Sequence, residues 1–280
     1  EFQYEFETDE AYQQYNDLYD PLMGRSVCIS GQLQLLEMAV HLTQECPTLK
    51  IIQLNTDGIM VSLDDSDVTR YQEITQEWEQ RTGFELEEDL IKMICQKDVN
   101  NYVEVPFEGE PKIKGGVLVR GIAPAGAFNI NNNACVVARA VKDYLAYGVP
   151  VEKTIMECDR ILDFQLVAKA GSKYGDALHE VDGELNVVQK VNRVYATEDH
   201  RFGTLYKMHL TTGTPVKIAG LPSRCVVDND NHLSIDVVDR DWYIRLAKRY
   251  VRDFLGQKPP KRNTRKVNKV KKTLLSLLEG

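Results

Sequence analysis

The stretch Ile51-Ile52-Gln53-Leu54-Asn55-Thr56-Asp57-Gly58-Ile59-Met60-Val61 decides how this chain is read. An apolar run enters, a polar tetrapeptide interrupts, and a second apolar run leaves. That pattern predicts a tight β-hairpin with one carboxylate, Asp57, at its tip. A carboxylate on a buried hairpin costs desolvation energy unless a cation or a hydrogen-bond network compensates. The arrangement asks for a metal ion. Read alone, the same tetrapeptide is also an ordinary Asp-Gly turn, so the rest of the chain has to arbitrate.

Outward from the hairpin, Arg25 to Gln44 carries Val27, Leu33, Leu35, Leu36, Ala39 and Val40 at helical spacing, predicting a buried helix that leads into it. Ser66 or Asp67 is expected to cap a second helix with Val68, Tyr71, Ile74 and Trp78 on one face and Gly83 at its end. Strands are predicted at Phe84 to Leu86, Leu90 to Cys95, Tyr102 to Val105 and Val117 to Arg120. Turns are predicted at Asn100-Asn101 and at 107–111. Residues 20–120 thus read as α+β, an antiparallel sheet carrying helices on one side. The glycine- and asparagine-rich run from Gly121 to Asn133 reads as a junction. Beyond it come helices at Ala134 to Tyr147 and Val151 to Ile161, a strand-rich region from Phe164 to Ile235, and an amphipathic helix from Arg240 to Leu255.

Bulk properties narrow the function classes. The 280 residues are 43% hydrophobic and 27% charged, enough for one large or two ordinary domains with real cores. No run approaches the roughly 18 apolar residues of a membrane span. Residues 1–7 have neither the basic nor the apolar region of a signal peptide. They also lack an initiator Met, which reads as a piece of a longer protein. Cys28, Cys46, Cys95, Cys135, Cys158 and Cys225 are scattered with no C-x-x-C pair, which argues against zinc and a disulfide framework. Net charge is −8, yet Gln257 to Leu278 holds eight basic residues and no acidic one. This tail is either a phosphate-contacting arm or a solvated terminus.

Candidate binding residues cluster downstream of the hairpin. Lys97 and Tyr102 flank a turn between strands. Lys112 and Lys114 alternate on one face of an extended segment, and Gly115 follows where backbone must approach closely. Arg120 ends the next strand. Basic side chains with a tyrosine on one sheet suit a nucleic-acid backbone. Arg193, Lys207 and Lys217 are further candidates in the later strands, and each is equally readable as plain surface.

In order and spacing these motifs resemble the palm of family B DNA polymerases, most closely the bacteriophage branch. In that family the hairpin reads approximately Tyr-x-Asp-Thr-Asp-Ser; here it is Gln53-Leu54-Asn55-Thr56-Asp57-Gly58. Leu18-Tyr19-Asp20-Pro21 and Ser30-Gly31-Gln32 resemble the approach to it, Lys97 and Tyr102 the Lys/Tyr motif at the primer terminus, and Lys112 to Gly115 with Val119-Arg120 the Lys-x-Lys-Gly segment. The resemblance implies that Asp57 binds two catalytic Mg²⁺ (or Mn²⁺) ions. It also implies that primer–template DNA and a dNTP are the partners, and that the setting is the cytoplasm of a bacterial host. Asn55 stands where the family has its first hairpin Asp, Gly58 where it has Ser, and Lys97 to Tyr102 is longer than usual.

The family's other metal aspartate and its nucleotide-binding helix belong upstream and are not found between Glu1 and Lys50. The expected organisation is therefore the C-terminal part of a palm (1–122), a mixed helix/strand thumb-like domain (123–256) and a basic tail (257–280), inactive by itself. Two other classes stay open: a non-enzymatic nucleic-acid-binding module with Asp57 as a turn residue, and an interaction protein whose acidic body binds basic partners.

Overall fold

A computed structural model describes residues 20–119, 134–171 and 173–258. It is a mixed α+β chain whose sheets are all antiparallel. Contacts divide it into two compact units, up to Asp89 and from Leu90 onward. The junction expected near residue 122 lies outside the described residues. Among the described residues, no helix is long and apolar enough to cross a membrane.

The first unit is built from α1 (Pro21–Glu45), the hairpin β1 (Lys50–Leu54) and β2 (Ile59–Ser62), and α2 (Val68–Thr82). Asp20 caps α1: its carboxylate accepts the N–H groups of Leu22 and Met23 at 2.9 and 3.0 Å, and Pro21 sits where a missing N–H does no harm. Gly83 ends α2 in the left-handed conformation, φ 76°. The core is Leu35, Met38 and Leu42 from α1, Cys46 and Leu49, and Ile74 and Trp78 from α2. Trp78 Nε1 donates to the Gln34 carbonyl at 3.1 Å, so the ring is anchored as well as buried. Asp67 begins α2 by another route than expected: its carboxylate accepts the Thr48 N–H (2.8 Å) and hydroxyl (2.6 Å), clamping the loop before β1 to the start of the helix. Those bonds hold the Asp67 carboxyl below the usual carboxylate range.

Helix α1 departs from its expected packing. Val27, Leu33, Leu36 and Val40 are exposed, and the core is filled from the opposite side. Leu22, Ile29, Leu33, Leu36 and Val40 follow one another at steps of seven, four, three and four residues, a single exposed stripe. The helix is apolar on two opposite faces, so its periodicity could not say which one packs.

The second unit surrounds α4 (Cys135–Tyr147), whose Val136, Val137, Ala138, Ala140, Val141 and Leu145 are all buried. Before it come β3 (Ile91–Asp98), β4 (Asn101–Pro106), β5 (Lys112–Lys114) and the one-turn α3 (Gly116–Val119). After it come α5 (Val151–Met156), β6 (Leu166–Lys169), β7 (Tyr174–Val181), β8 (Glu184–Val188), β9 (Val191–Ala196), β10 (Phe202–His209), β11 (Pro215–Lys217), β12 (Cys225–Val227) and α6 (Arg240–Phe254). The strands form three sheets, ordered β3-β4-β5, β12-β9-β6 and β11-β10-β7-β8. Val103 of β4 and Leu118 of α3 belong to the same core as α4 and α6, so β3–β5 is part of the second unit. The single sheet expected over residues 20–120 is thus two sheets in two units.

Three local expectations change for identifiable reasons. Phe84 to Leu86 forms no strand; Phe84 stacks on Trp78 and the Leu86 N–H is taken by the Glu79 carboxylate at 2.6 Å. The strand expected at Val117–Arg120 is α3, because the Gly115 carbonyl accepts both the Leu118 and Val119 N–H groups; Arg120 lies outside the described residues. Helix α5 stops at Met156 because the Arg240 guanidinium caps the Ile155 and Met156 carbonyls at 2.9 and 2.6 Å.

At the centre of this unit the Tyr243 hydroxyl donates to the Phe164 carbonyl (2.6 Å) and accepts the Ala196 N–H (3.1 Å). Replacing it, Tyr243→Phe, leaves both groups buried and unpaired. The expected cost is about 1–3 kcal/mol, read as a lowered urea midpoint with an unchanged m-value. His179 is buried, stacked flat on Phe202, with Nε2 2.7 Å from the Cys225 carbonyl, so Nε2 carries the proton and donates. Burial depresses its pKa, against smaller upward pushes from the Cys225 carbonyl and Glu180. The unfolded chain therefore binds the extra proton first. The His179 contribution is complete above about pH 6.5 and is lost as pH falls toward the folded pKa. Urea midpoints are expected to drop from pH 7.5 to 5.5, with a shallower drop in His179→Gln.

Candidate nucleic-acid interface and the Asp57 hairpin

Leu54 pairs with Ile59, and the Asn55 N–H donates to the Gly58 carbonyl at 2.9 Å, closing a four-residue loop. The hairpin is where the sequence places it, with Asp57 at the tip. The premise of a buried hairpin is corrected: Asp57 is exposed, and Ile51, Ile52 and Leu54 also face solvent. Its carboxylate pays no large desolvation penalty, so it does not demand a cation on that ground.

Asp57 lies on the wall of a cleft of about 630 Å³ floored by Leu35, Met38 and Leu42. Glu79, Glu85, Glu87 and Glu88 line the same cleft. Burial and then the nearby Glu88 raise the Tyr71 hydroxyl above its ordinary pKa, in keeping with an acidic wall. Yet no group of three His, Cys, Asp or Glu side chains among the described residues is placed to hold one metal ion. A hard divalent cation takes about six oxygens, mostly from carboxylates and waters. Asp57 with Asn55 does not amount to such a site.

The basic residues belong to the second unit. Register places Gln96, Tyr102 and Lys114 in one row across β3-β4-β5, with Glu104 and Lys112 in the next row of the same face. Val103 and Ile113 point the other way, into the core. Tyr102, Lys112 and Lys114 therefore share a surface, and the Lys114 ammonium lies 5.9 Å from the Tyr102 ring centre. Lys97 does not join the row. The register shifts between Gln96 and Asp98, leaving exposed Lys97 at the irregularity beside the turn. That turn is set by Asp98, whose carboxylate accepts from Asn101 Nδ2 (2.8 Å) and the Asn100 N–H (3.0 Å).

Glu104 is the residue that sequence reasoning missed. It is buried on the basic face, with an oxygen 4.0 Å from the Lys112 ammonium. The Tyr102-Val103-Glu104 alternation carried the signal: a residue two beyond Tyr102 shares its face. Lys112 is thus partly neutralised, which leaves Tyr102 and Lys114 as the better phosphate-facing pair.

Gly115 has an internal explanation. At φ 115°, a Cβ there would stand 2.4 Å from Asn101 Oδ1 and 3.0 Å from Asn101 Cα. The close approach the motif requires is to the chain's own turn.

In the later strands, Arg193 is occupied. Its guanidinium donates to the Asn229 carbonyl (2.7 Å) and to Asn231 Oδ1 (2.5 Å), bracing the loop after β12. That loop also wraps Asp228, whose carboxylate accepts the N–H groups of Leu233, His232 and Asp230. Burial pushes Asp228 up, but these bonds outweigh it and leave its pKa below the ordinary value. Lys207 and Lys217 sit on opposite faces of their sheet. Lys207 pairs in register with buried Ala177, and Lys217 with Tyr206 on the other side. The Lys207 ammonium stands 3.8 Å from the Tyr174 ring centre. The three are not brought to one surface.

Comparison with protein-family models, curated proteins and solved structures returned no match for this chain. The functional reading therefore rests on the motifs and the geometry.

Gly115→Ala is expected to destabilise the second unit by about 1–3 kcal/mol, through the positive φ and the Asn101 contact together. Pairing it with Asn101→Ala should recover the steric part but not the φ part, as read by urea denaturation of single and double variants.

Proposed function

We propose that this chain is the C-terminal palm and thumb portion of a phage-type family B DNA polymerase, a template-directed nucleotidyltransferase working with Mg²⁺. One observation carries the reading: a closed four-residue loop holds Asp57 in solvent at the tip of a hairpin that α1 and α2 support. A metal-binding carboxylate in such an enzyme has to project from rigid elements and stay open to substrate phosphates. The described residues supply one such carboxylate, so the metal site is incomplete among them and no catalytic step is assigned to Asp57 alone.

A second carboxylate from another segment is needed. The two-sided apolar α1 and the exposed Ile51, Ile52 and Leu54 support a reading in which further protein covers the first unit, because a helix apolar all round is normally a buried one. In the second unit, Tyr102 and Lys114 are the best placed to meet a primer–template backbone, with Lys97 beside the turn. Arg193 drops out of the set of candidate grips, since its donors are engaged within the fold.

A nucleic-acid-binding module without catalysis is the second reading, favoured by the row that Tyr102 and Lys114 form on β4 and β5, which needs no metal to meet a phosphate backbone. Primer extension separates the two. The 280-residue chain with primer–template, dNTPs and Mg²⁺ is expected to add no nucleotides. In a longer chain that is active, Asp57→Asn is expected to lower the extension rate by about 10³-fold, since metal stabilisation of developing charge contributes several kcal/mol. Primer–template affinity without metal should hold. Extension that survives Asp57→Asn sinks the polymerase reading and leaves the binding module.

A further inference from the structure

The largest concentration of positive charge in the chain is absent from the surfaces described so far. Helix α6 turns Tyr243, Ile244, Ala247, Val251 and Phe254 into the core. The basic residues left outside are Arg245, Lys248 and Arg249, all exposed, and the half-buried Arg252. Steps of four and three residues put Arg245, Arg249 and Arg252 in one row. From Arg245 to Lys272 the sequence holds twelve basic residues and one acidic residue, Asp253, on a chain whose net charge is −8. We infer that this exposed face of α6 is a rail for the phosphate backbone of a nucleic acid.

The partners of each cation support this. Arg245 reaches Asp239 at 3.4 Å, and Lys248 pairs with Glu152. Arg249 and Arg252 have no carboxylate partner among the described residues. Arg249 only lies over the neighbouring Tyr250 ring, its guanidinium carbon 5.2 Å from the ring centre. Asp241 stands at the start of the helix and Asp253 beside its end, so neither interrupts the row. A helix rises 1.5 Å per residue, which spreads Arg245 to Arg252 over roughly 10 Å. Successive phosphates of one strand advance about 3.4 Å along a duplex axis, so the row spans two or three of them. A lipid surface fits less well. Helices that lie in a bilayer interface insert an apolar face, and the apolar face of α6 is already committed to the core.

This rail owes nothing to the Asp57 hairpin, so it stands or falls separately from the two-metal reading. The test uses the full 280-residue chain, a fluorescein-labelled 20-base-pair duplex of arbitrary sequence, and a salt series from 50 to 200 mM. The variants are R249Q/R252Q and the off-rail control K190Q. Helical circular dichroism checks folding of each. R249Q/R252Q is expected to weaken binding about tenfold and to flatten the slope of log K against log salt by about two. K190Q should match the parent. Unchanged affinity and slope in a folded R249Q/R252Q overturns the proposal. So does loss of binding to phosphatidylserine vesicles with duplex binding intact, which would make the surface a lipid contact.

Discussion

The second unit is organised by one buried hydroxyl. Tyr243 is fully enclosed, and its oxygen bridges the Phe164 carbonyl, just before β6, to the Ala196 N–H at the end of β9. Neither backbone group has water to fall back on, so α6 is fixed in both position and rotation about its axis. Phe164 reinforces this edge-on at 5.1 Å, and Arg240, one turn earlier, caps α5. With the Tyr243 side turned inward, the basic residues of α6 have nowhere to go but out. A buried polar contact thus determines which charges the surface offers.

The basic β3-β4-β5 face follows similar logic on a smaller scale. Val103 and Ile113 are held in the core, and the period of two then places Tyr102, Lys112 and Lys114 together on the opposite face, with buried Glu104 among them. The Asp98 turn and the Asn101–Gly115 contact pin the ends of the strands. Gly115, which in sequence reads as a place for close approach of a nucleic-acid backbone, is in this fold half of a contact with Asn101 that keeps Tyr102 and Lys114 in register.

The Asp57 hairpin was legible because its signal is local: two apolar runs around Asn55-Thr56-Asp57-Gly58 have few alternatives to a hairpin. Its burial was not legible, since exposure depends on what packs over Ile51, Ile52 and Leu54. The same holds for α1, where the helix was predicted but its buried face was not, because both faces satisfy an apolar period. Arg193 looked like a free cation in sequence, and only the loop at Asn229 to Asn231 showed its donors were engaged. The row on α6 was present in the sequence at steps of four and three but masked by the stronger apolar pattern of the same helix.

By itself the sequence determined most of the element types, the α+β class, the turn at Asn100-Asn101, the carboxylate at a hairpin tip and the cationic end of the chain. These follow from short-range physics: backbone preference, side-chain period and turn chemistry act within a few residues. The tertiary structure alone decided the division between Asp89 and Leu90, the parting of the hairpin and the basic strands into two sheets, the pairing of Lys112 with Glu104 and the outward rotation of α6. Each of those depends on groups far apart in sequence competing for the same buried space or the same hydrogen-bond partner, and no local pattern records the outcome of that competition.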